Sequence, residues 1–461
     1  MEVVVLAAGK GTRMYSSQPK VLHSIGGQAM LERVLTTASK LKPKNMHVVV
    51  GFGADAIEAH FANSPLSSLN WVTQSEQLGT GHAVQQAISE IDTSTDDNQV
   101  LVLFGDVPLI SEATLQDLIA QSGPDTLSLL TVVTPEPHGL GRIIRNDLAQ
   151  VEAIVEHRDA NAQQLLINEI NTGIMAIPAA KLARWLNMIG NNNEQKEYYL
   201  TDIVALAAKE GCKVTATQAS DDKEVMGVND KVQLALLERH YQGQKMEALL
   251  RSGVTLRDPT RVDVRGNLTC GRDVEIDSNV IFEGNVALSD NVIIGANTVI
   301  KDAKIGAGTQ ILAGTHIDGA EIGEHVTIGP TARIRPGTVL HNNVKVGNFV
   351  EIKKSTLGEG SKANHLAYIG DAVLGTNCNI GAGTIFCNYD GANKHKTVIG
   401  NNVFVGSNSV LVAPVALQDN AFVAAGSVIN TDVPSEHLAV ARGKQRNIAG
   451  WKRPTKDTGS H

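Results

Sequence analysis

The sequence predicts two architectures in succession: an α/β Rossmann-like domain in the amino-terminal half and a parallel β-helix of hexapeptide repeats in the carboxyl-terminal half. Strand-like, β-branched runs at 3–6, 47–50 and 100–104 are separated by segments with helical spacing. This alternation is typical of a mainly parallel sheet with helices on its faces, extending to about residue 225. In the second half, aliphatic residues recur at every sixth position, a period that fits neither a helix nor a hairpin meander.

The loop after the first predicted strand, LAAGKGTRM (6–14), has the composition of a phosphate-binding turn. Loops at the carboxyl ends of parallel strands form the ligand crevice, and FGDVP (104–108) is a second such loop. Met14 stands where a dinucleotide fingerprint needs its third glycine, and the Walker A spacing is also missing. A short glycine turn beside the cations Arg13 and Lys20 remains. It indicates either a nucleotide phosphate site or a tight turn with solvated cations.

The hexapeptide repeat is the strongest pattern in the chain. Its inward aliphatic positions are Val262, Leu268, Val274, Val280, Val286 and Val292; Leu288, Ile294 and Ile300; Ile305, Ile311 and Ile317; Ile322, Ile328, Ile334, Leu340, Val346 and Ile352; and Ile399, Val405, Leu411, Leu417, Val423 and Ile429. We expect Gly, Asn and Asp between them to form the corners of each coil. The segment CNYDGANKHK (387–396) interrupts the count, and insertions in repeat folds become loops on the binding face.

A segment rich in Leu, Glu, Lys, Gln and Arg, 230–251, contains no proline and predicts a helix between the two halves. The predicted boundaries are therefore 1–228 for the α/β domain, 229–251 for the linking helix and 252–461 for the β-helix with its carboxyl-terminal tail.

The bulk composition restricts the possible partners. The 461 residues, 42% of them hydrophobic, can bury the cores of two or three domains. A net charge of −8 argues against nucleic acid as a partner, and no apolar stretch approaches the ~20 residues of a membrane span. The four cysteines include no CxxC pair, so neither a disulfide framework nor a zinc site is predicted. Without a signal-peptide pattern at the start, we expect a cytoplasmic protein.

Further motifs follow the opening loop in order. They are PKVL (19–22), QLGTGHA (77–83), FGDVP (104–108), EHRDA (156–160), EINTGI (169–174) and EYYLTD (197–202), and in the second half NHLAYIGD (364–371), IGAGT (380–384), CNYDGANK (387–394) and VARGK (440–444). The first set resembles the sugar-1-phosphate nucleotidylyltransferases, and the second resembles the hexapeptide acyltransferases. Over nearly its whole length, the chain resembles the bifunctional N-acetylglucosamine-1-phosphate uridylyltransferase / glucosamine-1-phosphate N-acetyltransferase family.

The resemblance implies an enzyme of UDP-N-acetylglucosamine biosynthesis, which supplies precursors of peptidoglycan and lipopolysaccharide. The second half would acetylate glucosamine 1-phosphate from acetyl-coenzyme A. The first half would then transfer UMP from UTP to N-acetylglucosamine 1-phosphate and release pyrophosphate, with Mg²⁺ as cofactor. The resemblance also implies a left-handed β-helix that assembles as a homotrimer, with sugar phosphates and nucleotides as partners and neither nucleic acid nor membrane binding.

In the uridylyltransferase half, the resemblance implies that Arg13 and Lys20 act on the phosphates and that Asp106 and Asn229 hold Mg²⁺ through oxygen atoms. The implied contacts of UTP or UDP-N-acetylglucosamine are Leu6, Ala7, Ala8, Gly9, Lys20, Gln74, Gln77, Gly79, Thr80, Phe104, Gly105, Asp106, Gly141, Glu156, Asn171 and Asn229. The part of this set at 74–80 would contact the uracil or its surroundings. The part beginning at Gly141 would line the sugar pocket.

In the acetyltransferase half, the resemblance implies that His365 is the general base and that Glu351 orients it. A histidine suits proton removal from an amine near neutral pH. The implied contacts of glucosamine phosphate are Arg335, Lys353, Tyr368 and Asn379. The implied contacts of acetyl-coenzyme A are Ala382, Asn388, Tyr389, Ser407, Ala425 and Arg442.

Each of these residues alone also has a purely structural interpretation. Asp106 could cap the following segment, Glu156 could belong to an exposed charged turn, and His365 could be an ordinary surface histidine. Two other functions are also compatible with the architecture. One is a nucleotidylyltransferase whose β-helix only assembles or regulates it, and the other is a non-enzymatic scaffold or carbohydrate-binding solenoid. The second of these leaves Arg13, Lys20 and Asp106 without a role.

Overall fold

A computed structural model describes residues 1–66 and 69–454. The chain forms two compact units, Met1–Lys245 and Met246–His461. The helix Lys231–Arg251 includes the point of division.

The first unit is an α/β domain. Its strands are β1 Glu2–Ala7, β2 Ser24–Ile25, β3 Gln28–Ala29, β4 Met46–Val50, β5 Leu69–Thr73, β6 Gln99–Phe104, β7 Thr126–Val133, β8 Arg142–Arg145, β9 Val151–Val155, β10 Glu169–Pro178 and β11 Lys213–Gln218. Its α-helices are α1 Met30–Lys40, α2 Ala54–Phe61, α3 Thr80–Ala87, α4 Glu112–Ala120, α5 Ala179–Met188, α6 Asp202–Lys209 and α7 Lys231–Arg251. Short 3-10 helices are Thr12–Met14, Lys20–Leu22, Ile88–Glu90 and Gln164–Leu166.

The main sheet of this unit has the order β11-β7-β10-β6-β1-β4-β5. Its strands are parallel except β10, which runs antiparallel to β6 and β7, while β8 and β9 form a hairpin joined to β10. The chain goes from β1 to β4 on one side and later returns to β6 on the other. This reversal of direction at β1 opens a crevice at the carboxyl ends of β1 and β6.

β1 shows why the sequence forms a sheet covered on both faces. All six of its residues are buried. Val3 and Val5 pack into the core on one face, and Val4 and Leu6 pack into the core on the other. A continuous β-branched run is therefore the expected pattern, since neither face of the strand contacts water.

A buried acid–base pair lies near the amino ends of β1 and β4, at the edge of the sheet opposite the crevice. Glu2 and His47 are 1% and 0% exposed, and His47 Nε2 lies 2.8 Å from Glu2 Oε2. The carboxylate also accepts hydrogen bonds from the Asp92 N–H at 3.1 Å and from the Asn45 amide at 3.3 Å. Burial raises the pKa of Glu2, but these hydrogen bonds outweigh burial and leave its pKa below the ordinary value.

We expect Glu2→Gln to lower the free energy of unfolding of the first unit by about 3 kcal/mol at neutral pH, because a buried pair loses its anion. Since folding lowers the pKa of Glu2, the ionised side chain stabilises the folded state fully at pH values above its unfolded-state pKa of about 4.3. This stabilisation is lost as the pH falls from that value through the lower pKa of the folded state. Urea unfolding followed by the fluorescence of the buried Trp185 measures both effects. Glu152→Gln, at an exposed position of β9, is the matched control, and equal stability of the two variants would contradict the prediction.

The second unit is a parallel β-helix. One of its sheets stacks the strands Thr255–Leu256, Glu275–Ile276, Ile293–Ile294, Gln310–Ile311, Thr327–Ile328, Lys345–Asn348, Lys362–His365, Asn379–Ile380, Phe404–Val405, Phe422–Val423 and Leu438–Ala439. A larger sheet forms the other faces from Val262–Cys270, Val280–Leu288, Val299–Ile305, His316–Asp318, Ala320–Ile322, Arg333–Ile334, Thr338–Leu340, Glu351–Lys353, Thr356–Leu357, Tyr368–Gly370, Ala372–Leu374, Ile385–Cys387, Thr397–Ile399, Val410–Val412, Val415–Leu417 and Val428–Ile429. A 3-10 helix, Pro259–Arg261, precedes them.

The hexapeptide pattern is confirmed by the packing of the coils. Inward residues such as Ile294, Ile311 and Ile328 stack in register and are at most 1% exposed. Corner residues such as Asn297 and Asn343 adopt the left-handed conformation, with φ of 59° and 60°. Equivalent residues in successive coils are 17 or 18 positions apart, which corresponds to about three hexapeptides per turn.

The predicted interruption of the repeat is a loop. Across it, the residues that align in successive coils lie 25 positions apart, as Thr376 and Asn401 do. The additional residues leave the coil after Ile385–Cys387 and return to it at Thr397–Ile399. The loop therefore adds polar groups to one face without disturbing the stack of inward side chains.

Candidate active sites

The crevice of the first unit is formed by the two loops that the sequence analysis placed there. The Gly105 N–H donates to the Leu6 carbonyl at 2.9 Å, which joins the loop after β6 to the end of β1. Leu6, Ala7 and Ala8 are buried, whereas Gly9 is exposed. The backbone of the glycine turn thus leaves the sheet at the switch point, where phosphate-binding turns occur in this class of fold.

Two cation–oxygen contacts stand side by side in this crevice. Lys20 Nζ forms an ion pair with Asp106 Oδ2, and the two side chains are 13% and 18% exposed. Arg13 Nη2 donates to Asn229 Oδ1 at 2.9 Å, across 216 positions of sequence. The Val228 N–H donates to the Asp106 carbonyl at 2.9 Å, so the segment before α7 is held against the loop after β6. The structure therefore brings together the four residues expected to act on phosphate and metal.

The oxygen atoms of Asp106 and Asn229 are suitable for Mg²⁺, which prefers hard oxygen ligands and retains several waters. Within residues 1–66 and 69–454, no group of three or more His, Cys, Asp or Glu side chains is arranged to hold a metal ion. A divalent ion here would therefore need phosphate and water oxygens in addition to these two ligands. Lys20 contacts the Asp106 oxygen and Arg13 contacts the Asn229 oxygen, so both oxygen atoms already face a positive charge.

The residues expected near the uracil form a second group beside β4 and β5. Gln74 is 3% exposed and donates from Nε2 to the Gly79 carbonyl at 3.2 Å, while Gln77 Nε2 donates to the Gln74 carbonyl at 3.1 Å. Gly79 has a φ of 114°, and a Cβ there would lie 2.6 Å from the Tyr198 carbonyl oxygen. Thr80 Oγ1 accepts from the Leu200 N–H at 3.0 Å, so this group is tied to the EYYLTD segment.

Of the residues expected around the sugar, Asn171 lies on β10, Gly141 directly precedes β8 and Glu156 directly follows β9. The Asn171 N–H donates to the Gly141 carbonyl at 2.9 Å, and Thr201 Oγ1 donates to Glu156 Oε1 at 3.0 Å. Burial raises the pKa of Glu156, and nearby carboxylates such as Asp202 add to that rise against the hydrogen bond from Thr201. A partly buried carboxyl with this environment suits hydrogen bonding to sugar hydroxyl groups.

Phe104 connects the sugar-side residues to the nucleotide-side loop. A Cβ at Gly173, which has a φ of 84°, would lie 2.5 Å from the Phe104 ring. The Gly173 N–H in turn donates to Asn171 Oδ1 at 3.1 Å. The glycine in EINTGI thus lets the ring approach the turn that carries Asn171.

A second polar site lies on the β-helix. Arg335 Nη1 donates to Glu351 Oε1 at 2.8 Å, and both side chains are about one-third exposed. Glu351 aligns with Tyr368 in the next coil, and Lys353 aligns with Gly370. Four of the expected residues therefore share one face over consecutive coils.

His365 is exposed and aligns with Asn348 in the preceding coil. Its Nδ1 lies 3.3 Å from Asn348 Oδ1. Because Oδ1 can only accept, this contact is a hydrogen bond in the tautomer that carries its proton on Nδ1, and in that tautomer Nε2 is the basic nitrogen. The expected orienting contact from Glu351 is not among the contacts of the described residues, where Glu351 pairs with Arg335. Asn348 is thus the side chain that orients the imidazole in this structure.

The inserted loop approaches the same face. Asn388 Nδ2 donates to Asp371 Oδ2 at 2.6 Å and lies 3.4 Å from the Tyr368 hydroxyl. The pKa of Lys353 is lowered by the adjacent ammonium group of Lys394 and further by Arg335. Three cations therefore crowd together here, an arrangement that favours a bound anion.

The remaining acetyl-coenzyme A candidates form a column. The Asn408 N–H donates to the Ala382 carbonyl at 2.7 Å, and the Gly426 N–H donates to the Ser407 carbonyl at 2.8 Å. Arg442 Nη1 donates to the Ala425 carbonyl at 2.7 Å. The small residues Ala382, Ser407 and Ala425 thus occupy equivalent corners of successive coils, with the arginine at the end of the column.

Comparison with known proteins matches the two halves of the chain to two different family models. Residues 3–171 match the MobA-like NTP transferase domain, and residues 264–346 and 320–431 match the GMPPB C-terminal domain. A bifunctional protein GlmU from Marinobacter nauticus is 55% identical over 456 residues, with 99% of each chain covered. The chain belongs to the GlmU family. GlmU proteins from Azotobacter vinelandii and Stutzerimonas stutzeri are 54% and 52% identical, again over 99% of each chain.

The alignment with GlmU relatives spans both polar sites, and the predicted fold class is confirmed in both units. No helix among the described residues is long and apolar enough to cross a membrane. Four residues that contact the candidate sites were not predicted from the sequence: Asn348, Asp371, Lys394 and Thr201. Asn348 lies 17 positions before His365, which is the length of one coil, and this spacing could have predicted that the two residues are neighbours.

Proposed function

We propose that the two polar sites perform the two successive reactions of this GlmU family member. The chain is a bifunctional enzyme of UDP-N-acetylglucosamine biosynthesis. The β-helix acetylates glucosamine 1-phosphate from acetyl-coenzyme A, and the α/β unit transfers UMP from UTP to the N-acetylglucosamine 1-phosphate so formed. The observation that carries this assignment is the presence of two separately built sites, one with Lys20 beside Asp106 and one with His365 beside Asn348.

In the uridylyl reaction, the sugar phosphate attacks the α-phosphorus of UTP and pyrophosphate leaves. Arg13 and Lys20 would stabilise negative charge on the phosphates as the bond to pyrophosphate breaks. Asp106 and Asn229 would hold Mg²⁺, which neutralises phosphate charge when bound. Glu156 and Asn171 would position the sugar by hydrogen bonds, so that the attacking oxygen is aligned with the leaving group.

In the acetyl reaction, the amine of glucosamine 1-phosphate attacks the thioester carbon of acetyl-coenzyme A. His365 Nε2 would take the proton that the amine loses, since Nδ1 is held by Asn348. Arg335, Lys353 and Lys394 would bind the phosphate of the sugar. The thiolate of coenzyme A leaves as the amide forms, and the column that ends at Arg442 would hold the cofactor.

A homotrimer would complete this second site. The column of acetyl-coenzyme A candidates is largely exposed on the single chain, including Ser407, Ala425 and Arg442. Coenzyme A lying on this column would be covered if a neighbouring β-helix packed against the same face. We also assign the reaction to the cytoplasm, in keeping with four cysteines that are all free thiols.

One assay on the full chain tests the proposal. Glucosamine 1-phosphate with acetyl-coenzyme A should release free thiol, and N-acetylglucosamine 1-phosphate with UTP and Mg²⁺ should release pyrophosphate. Glucosamine 1-phosphate with UTP and Mg²⁺ should yield pyrophosphate readily only after acetyl-coenzyme A is added, which establishes the order. Pyrophosphate without thiol would mean that the β-helix only assembles or regulates the enzyme, and neither product would refute both assignments.

A further inference from the structure

The inserted loop of the β-helix is held together by its own polar residues. Asp390 Oδ1 accepts from the backbone N–H groups of Ala392 at 2.8 Å and Asn393 at 2.6 Å. Asp390 Oδ2 lies 2.7 Å from His395 Nε2. These hydrogen bonds hold the pKa of Asp390 far below its usual range, and the bond from the Asn393 N–H has the largest effect. The side chain is therefore a carboxylate.

Backbone contacts complete the closure of the loop. The His395 N–H donates to the Asn388 carbonyl at 2.9 Å, and the Asp390 N–H donates to the Asn393 carbonyl at 3.1 Å. Tyr389 and Lys394 face each other in an antiparallel bridge. We call the pair Asp390 and His395 the clasp, because it joins the two sides of this hairpin-like loop through side chains.

The clasp determines where Lys394 lies. Lys394 is the residue between Asn393 and His395, and both of these neighbours are bound to the Asp390 carboxylate. The loop residue Asn388 donates to Asp371 at 2.6 Å, and the Asp371 N–H donates to the Lys353 carbonyl at 3.0 Å, which places the loop beside Lys353. The ammonium group of Lys394 accordingly lowers the pKa of Lys353. Two neighbouring ammonium groups repel each other, so in the absence of a bound anion other contacts are needed to hold the loop in this place. The clasp supplies such contacts.

We propose that Asp390 and His395 are positioning residues for acetyl transfer: their clasp holds Lys394 beside Lys353 and Arg335 and so prepares the cation group that binds the phosphate of the sugar substrate. The inference rests on the acetyltransferase function proposed above. Among the described residues, no hydrogen bond joins either clasp residue to Arg335 or Lys353. Their effect on the reaction is therefore indirect, through the shape of the loop.

Steady-state kinetics of thiol release by the full chain tests this role. We expect Asp390→Asn to raise the KM for glucosamine 1-phosphate about tenfold and to change kcat by less than about threefold, because a loosened loop weakens phosphate binding. His395→Ala should raise the same KM by about fivefold. His395→Gln should restore most of the affinity, since the glutamine amide can donate to the Asp390 carboxylate.

Three controls separate the clasp from other causes. Lys396→Ala removes a cation at an exposed position of the same loop, so it reports the effect of net charge alone. Pyrophosphate release from UTP and N-acetylglucosamine 1-phosphate should be unchanged in every variant. Thermal unfolding identifies any variant that is misfolded. If Asp390→Asn is misfolded, the difference in KM between His395→Ala and His395→Gln tests the clasp instead.

The possible outcomes distinguish the clasp from the proposed function. Unchanged KM in Asp390→Asn and His395→Ala, or an equal rise in Lys396→Ala, would overturn the clasp while leaving the acetyltransferase assignment intact. A fall in kcat alone, with KM unaffected, would also overturn it. Absence of thiol release by the unaltered chain would refute the acetyltransferase function itself, and the clasp with it.

Discussion

Replacing His365 by alanine is expected to lower kcat for acetyl transfer about a thousandfold, because the amine of the sugar loses the base that accepts its proton. The imidazole is exposed, and its Nδ1 is held by Asn348 at 3.3 Å, which leaves Nε2 as the basic atom. Removing an exposed side chain should change the stability of the β-helix little. Thiol release from acetyl-coenzyme A measures the effect, and pyrophosphate release by the other unit should remain at the level of the unaltered chain.

Two further variants make this result specific. His341→Ala removes an exposed histidine from the same β-helix and should leave both activities unchanged. Asn348→Ala should lower kcat by about tenfold, since it frees the ring to rotate but keeps the base. If His365→Ala kept more than a tenth of the acetyl-transfer rate, a different group would have to accept the proton.

The β-helix shows how much a sequence period can predict. Ile311 and Ile328 are inward residues of successive coils, and the six-residue count identified both without any knowledge of the coil length. The count works because a coil has room inside for one aliphatic side chain per short strand. It could not predict the shape of the loop at 387–396, which depends on hydrogen bonds to Asp390 rather than on a repeated position.

In the first unit, the β-branched runs predicted the parallel strands β1, β4 and β6, but not β5, β7 or β11, the antiparallel β10 or the β8–β9 hairpin. The pairing of Ile170 with Arg142 places that hairpin beside β10. β10 is buried over most of its length, as the parallel strands are, so its hydrophobicity does not distinguish its direction from theirs. Gly141, which we propose to line the sugar pocket, directly precedes this hairpin.

The structure brings several of the predicted site residues together, but the hydrogen-bond partners of these residues differ from the expected ones. Lys20 and Asp106 were both expected at the crevice, and the structure joins them in an ion pair. The expected pairing of Glu351 with His365 is replaced by pairs with Arg335 and Asn348, respectively. A motif preserves the kind of side chain that chemistry needs, whereas the hydrogen bond that each side chain makes depends on the register of adjacent coils.

Replacing Asp106 by alanine is expected to lower the rate of uridylyl transfer about a thousandfold and to leave acetyl transfer unchanged. The substitution removes an oxygen ligand suited to Mg²⁺, and it also leaves Lys20 without its anionic partner in a place where the lysine is only 13% exposed. Pyrophosphate release over a range of Mg²⁺ concentrations measures both the rate and the apparent affinity for the metal.

The comparison of Asp106→Ala with Asp106→Asn separates the two roles of this carboxylate. The asparagine keeps one oxygen ligand but carries no charge. A higher Mg²⁺ concentration should therefore restore part of the rate of Asp106→Asn but little of the rate of Asp106→Ala. Asp117→Ala, at an exposed position of α4, is the matched control and should behave like the unaltered chain. Uridylyl transfer by Asp106→Ala at the unaltered rate, with the same dependence on Mg²⁺, would contradict the metal role. Because the dependence on Mg²⁺ would persist, Asn229, water and the phosphates would then have to hold the ion without this carboxylate.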